Sequence, residues 1–100
     1  QVEGEFVQAA SWALYEEVNF DTKEIISKDW DTYKIIGFDN IPNIQTNVID
    51  QVGFPYLGVG EVVAGPTGAA ISNALSEALG QTIKTMPFTK EIITKELLQT

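Results

Sequence analysis

Cysteine, histidine and arginine are all absent from this 100-residue chain. Without cysteine there is no disulfide, no iron–sulfur ligation and no thiol nucleophile. Without histidine the commonest metal ligand and the commonest general base are missing. Ser-His-Asp and Cys-His catalysis and zinc centres are excluded with them. Basic residues are scarce, with six lysines against 14 acidic residues and a formal charge of -8. That balance argues against binding nucleic acid by phosphate neutralisation and against attraction to anionic lipid. No apolar run approaches the ~18 residues of a membrane span, and no basic segment leading into an apolar one marks a signal peptide. Any chemistry here runs on carboxylates, hydroxyls, amides and backbone groups.

Hydrophobic residues make up 44% of the chain and aromatics 10%, enough for one modest core and too apolar for disorder. A helical pattern starts almost at Gln1, as expected of a piece of a longer chain, and residues 1–100 are read as one unit. In "GEFVQAASWALYEEV", Phe6, Val7, Ala10, Leu14 and Val18 recur at helical spacing, which predicts an amphipathic helix over about 4–16. Glu3 and Glu5 then sit near the positive end of its dipole. "VNFDTKEIISKDW" reads as a hairpin turning at Asp21 to Glu24. The stretch from Asp31 to Asn43 is irregular and extended, and Ile44 to Ile49 alternates like a strand. "DQVGFPYLGVGE" is a glycine-rich loop, long for so small a domain, and such loops are more often functional than not.

Gly65 and Pro66 fit the cap and first position of a second helix. Its apolar stripe is Ile71, Leu75, Ala78 and Leu79, and Gly80 is its terminating glycine. Ala70, Ser72, Asn73 and Ser76 form a face small enough for another backbone to approach. "MPFTKEIITKELL" reads as a linker and a short terminal helix from about Thr89. The expected class is α+β.

"GVGEVVAGPTG" sets one carboxylate, Glu61, between glycines, with no basic residue within twenty positions on either side. Gly58 and Gly60 begin a dinucleotide fingerprint, but its third glycine falls on Val63, and a P-loop lysine is missing. Two readings of Glu61 stay open. It is either a helix-start acid favoured by the dipole, or a general base held among Val59, Val62 and Val63. The acid pairs Glu3-Glu5, Glu16-Glu17 and Asp29-Asp31 fall on predicted exposed faces, where solvated surface is the simpler reading than a glycosidase pair. The scattered aromatics read as core residues and loop anchors.

Taken in order, "QVEGEFVQAASWALYEEV", "DTYKIIGF", "IPNIQTNVID" and "GVGE" before "AAISNALSEALG" resemble the C-terminal part of the molybdenum-binding subunit of molybdenum hydroxylases, the xanthine dehydrogenase and aldehyde oxidase family. "GEVVAGPTGAAISNALSEALG" and "MPFTKEII" are most similar to its bacterial isoquinoline oxidoreductase and nicotinate dehydrogenase-like branch. The resemblance runs through essentially the whole chain. It implies that Glu61, in the "GxGE" step, is the active-site base for hydroxylation of an N-heterocycle or aldehyde with water-derived oxygen. It implies that Gln1, from "QxEG", and Gly60 lie beside molybdopterin, carried as a dinucleotide. It also implies a [2Fe–2S] centre, and in some members FAD, on other domains or subunits, and a cytoplasmic parent in preference to a periplasmic one. The family's mammalian-type members follow the glutamate with prolines, whereas this chain has Val62-Val63, which leaves the substrate open. The isolated chain is expected to bind no cofactor, to be inactive and to pair with a second copy. The alternatives are a non-catalytic interaction domain of the same ancestry, with Glu61 only a helix-start acid, and an unrelated carboxylate enzyme.

Overall fold

Three α-helices carry the ordered packing of the chain, in a computed structural model that describes residues 1–99. The first, α1, spans Val2–Leu14, starting two positions before the sequence expectation. Of the expected stripe, Ala10 is buried, Leu14 packs on the core cluster, and Phe6 and Val7 are half-buried. Ala9, Ala10, Ser11 and Ala13 are buried with Glu5, while Val18 is exposed. Glu5, Ala9 and Ala13 lie four apart, hence on one face. Their small side chains, two alanines with no rotamer to fix, let α1 lie close on its neighbour.

That neighbour is α2, Ala64–Leu79, which begins two residues earlier than Gly65 and Pro66 suggest. Pro66 therefore occupies the third helical position, where the missing N–H is one of the unpaired ones anyway. Thr67 N–H donates to Val63 O at 2.9 Å and closes the first turn. Gly80 ends the helix in the left-handed region, at φ 68°, where a side chain would be strained. Near its start α1 bonds to the start of α2, and near its end Ala13 lies in the cluster with Ile71 and Leu75. The two helices thus run in the same direction.

The expected linker before the last helix belongs to the core. Ile83 and Phe88 are buried against Ala13, and Phe88 N–H donates to Ala13 O at 2.7 Å. The third helix, α3, spans Lys90–Leu98, and its cap Thr89 accepts the Ile92 N–H through Oγ1 at 3.3 Å, in line with the sequence. Ile92, Ile93 and Leu97 of α3 close over the same cluster.

The strands of the expected α+β class do not form among the described residues. Of the hairpin only a single antiparallel bridge, Phe20 to Ile25, is present. Its turn is well made, since Asp21 Oδ1 accepts the Lys23 and Glu24 N–H groups at 2.7 and 2.9 Å. The flanks fail to propagate because Phe20 and Ile26 are exposed and pack on nothing that would hold a pleated face. Ile44 to Ile49 has no regular secondary structure; Ile44 is half-buried, while Val48 and Ile49 are each 78% exposed. Hydrogen bonds in a helix are local, whereas a strand needs a partner.

The chain is drawn out. Its radius of gyration is 16.7 Å, against ~13 Å for a compact domain of this length. Its accessible surface is 8060 Å², where scaling with mass gives ~5,600 Å² for a self-contained 11.0 kDa protein. Large apolar side chains stand in solvent, including Phe38, Val52, Tyr56 and Leu57, each at least 86% exposed.

Candidate functional site

Where α1 begins and α2 begins, the chain forms a concavity of about 580 Å³ whose lining includes Gln1, Glu5, Gln8, Trp12, Gly60 and Glu61. The three residues singled out in the sequence, Gln1, Gly60 and Glu61, come together here although Gln1 is more than fifty positions from the other two along the chain. Gln1 is the cap residue of α1, and its carbonyl accepts the Glu5 N–H at 3.0 Å. Gly60 and Glu61 are exposed and lie just ahead of α2. Among the described residues Glu61 makes no hydrogen bond or ion pair; Lys84 and Lys90 are not its partners.

Glu5 departs most from the sequence expectation. The sequence groups it with Glu3 as a surface acid, yet it is only 9% exposed. Its Oε2 accepts the Val63 N–H and its Oε1 the Ala64 N–H, both at 3.2 Å. These donors open α2, so one buried carboxylate satisfies two otherwise unpaired groups and meets the positive end of the dipole. The i, i+4 spacing of Glu5 with Ala9 and Ala13 is the available signal, once alanines rather than large residues are taken to mark the packed face. The two side-chain hydrogen bonds at the start of α2 are therefore made by Glu5.

No basic side chain lines the concavity. It offers a free carboxylate, side-chain amides from Gln1 and Gln8, the flat face of Trp12, and backbone at Gly60. The glycines of the approach are not demanded by the chain itself. Gly58 and Gly60 have no positive φ, and a side-chain carbon built at either would meet nothing within 4 Å. The space in front of them is open to a flat or bulky group at backbone distance.

Several other acids have local tasks. Asp21 and Asp29 are held below the usual carboxylate range, Asp21 by the backbone N–H groups of Lys23 and Glu24 and Asp29 chiefly by the Thr32 hydroxyl. Glu16 Oε2 accepts the Tyr33 hydroxyl at 2.6 Å, which raises the phenol pKa. Glu96 is lowered by the Thr85 side chain and by the Lys84 N–H. No cluster of acidic, histidine or cysteine side chains among the described residues could hold a metal ion. A second cleft of about 430 Å³, between α1 and residues 30–41, contains none of the three candidate residues. No helix among the described residues is long and apolar enough to cross a membrane.

No family model matches the chain. It is 34% identical over 91 residues, 91% of its length, to a nicotinate dehydrogenase subunit of Pseudomonas putida, of which it covers 8%. It is 28% identical over 102 aligned positions, 96% of its length, to the xanthine dehydrogenase molybdenum-binding subunit of Escherichia coli O157:H7, of which it covers 14%. The chain thus spans a small part of the length of the curated relatives it matches.

Proposed function

We propose, from the premise that these homologues support the molybdenum hydroxylase family and nothing finer within it, that the chain is a segment of the molybdenum-binding part of a bacterial oxidoreductase and supplies its base, Glu61. The observation that carries this reading is the meeting of Gln1, Gly60 and Glu61 in one concavity while Glu5 bonds the start of α2. A carboxylate with no structural partner, beside open glycine backbone, is placed for work on a group outside this chain.

The residues fit a molybdenum cofactor as lining and not as ligands, since the site has no metal-binding cluster and no phosphate-binding cation. Gln1 would hold the cofactor through its amide, and Gly60 through close approach of its backbone. When bound, the cofactor supplies transfer of a water-derived oxygen and takes up the electrons. Glu61 receives the proton released as that oxygen becomes nucleophilic. Val59 and Val62, about half exposed beside it, limit competing water once substrate is present. The substrate class this chemistry suits is an N-heterocycle or an aldehyde with an electrophilic carbon. Iron–sulfur and flavin groups would sit on other domains or subunits, in keeping with a chain without cysteine.

In the full enzyme, Glu61→Gln keeps the shape of the side chain and removes the base. Turnover is expected to fall by ~10²–10⁴ with normal molybdenum content, the usual effect of losing a general base. Near-normal turnover at full metal content would end this mechanism, and loss of metal would make Glu61 a structural residue.

A further inference from the structure

Residues 51–63 make a long connection with no regular structure, and Glu61 lies near its end. A base must be held within a few tenths of an ångström to act, and a loop of this length does not do that unaided. Among the described residues, one hydrogen bond ties this stretch to α1, Val63 N–H to Glu5 Oε2, and the next residue, Ala64 at the start of α2, gives its N–H to Glu5 Oε1. Glu5 is bonded in turn through its own N–H to the carbonyl of Gln1. Glu5 thus joins the two halves of the candidate site, through its backbone N–H to Gln1 and through its side chain to the residues just after Glu61.

We infer that Glu5 is a positioning residue for Glu61, fixing the register of the glycine-rich loop against the start of α1; the inference rests on the reading of Glu61 as the base. Glu5 does not touch the reacting atoms. Its two carboxylate oxygens each take one N–H, and its charge matches the helix end they belong to. A glutamine there has one acceptor oxygen and turns its NH₂ group towards the second N–H donor. The volume is kept and half of the clamp is lost.

The test uses the metal-loaded parent enzyme with Glu5→Gln, and Glu77→Gln on the exposed outer face of α2 as a control for loss of one charge. Molybdenum content is expected to stay normal and KM to stay within about twofold, while kcat falls roughly ten- to a hundredfold, as for a small misplacement of a reacting group. Amide hydrogen exchange across residues 61–66 is expected to quicken in Glu5→Gln and to be unchanged in Glu77→Gln. Faster exchange with unchanged kcat, in an enzyme that Glu61→Gln inactivates, overturns the positioning role and leaves the base reading intact. Unchanged exchange overturns the clamp itself. An active Glu61→Gln enzyme overturns the base reading, whatever Glu5→Gln does to exchange. If Glu5→Gln loses its molybdenum, Glu5→Asp, which keeps the charge and withdraws it by one methylene, is read in the same way. Loss of metal in both variants overturns the inference, because Glu5 would then be holding the fold and not the base.

Discussion

The helical part of the molecule and the long segment that joins α1 to α2 are built on different terms. In the helical part, Ala13, Ile83 and Phe88 are buried together, with side chains from all three helices packed around them. In the connection, Phe38, Val52, Tyr56 and Leu57 stand in solvent, and its regular structure is one 3₁₀ turn, Phe38–Asn40. Both parts are rich in apolar side chains; what differs is the partner. Helices complete their hydrogen bonds internally and need one apolar neighbour, which α1 and α2 provide for each other. Extended segments leave their backbone groups unmatched until another strand arrives. The connection therefore leaves its apolar side chains uncovered, and the candidate site lies where the two regimes meet.

The sharpest way to break this contrast is to cut each region equally. Phe88→Ala is expected to destabilise the helical part by about 3 kcal/mol or more, as for a large buried side chain, read from loss of helical circular dichroism in denaturant. Tyr56→Ala, at a residue 97% exposed, is expected to stay within about 0.5 kcal/mol. Equal effects would mean that the connection packs in solution. Next in size is association. The isolated chain is expected to form a dimer through Phe54 to Leu57 and neighbouring apolar surface, since patches above a few hundred Å² seldom stay bare. Its charge of -8 favours a discrete pair over precipitation. Light scattering over a concentration series checks this, and a strictly monomeric chain would contradict it.

The smallest effect concerns acid. Glu96 has its pKa lowered in the folded chain, first by Thr85 and then by Lys84 N–H. A lowered folded pKa means that its contribution to stability is present above the ordinary carboxylate pKa. It is lost as pH falls through the lowered value. The helical part should thus weaken below the usual carboxylate range, and Glu96→Gln should flatten that limb slightly. An unchanged acid limb would mean that other carboxylates set it.

Part of this is legible in the sequence and part is not, for physical reasons. Gly80 and Thr89 announce a helix end and a helix start because their effect is local: a left-handed φ in one case, a hydroxyl accepting an N–H three residues on in the other. "IQTNVI" alternates like a strand, but alternation states only which faces a strand would have. Whether a partner is present is not written in the segment. The packed face of α1 is legible only in part. Ala10 and Leu14 of the apolar pattern are packed, but Ala9 and Ala13, which carry little apolar surface, are buried with them. Glu61 is legible as a candidate for chemistry because lone carboxylates flanked by glycines are unusual. Glu5 is not, because its burial depends on where a helix 59 positions away begins.

The account stands or falls on what Glu61 faces, and an experimental structure of the whole parent enzyme with its cofactor measures that directly. The account predicts the Glu61 carboxylate within hydrogen-bonding reach of the substrate–cofactor contact, ~2.6–3.2 Å directly or through one water. It also predicts Gln1 on the cofactor's edge and Glu5 still bonded to Val63 and Ala64. Glu61 paired with a lysine, or turned into solvent away from the cofactor, would contradict it.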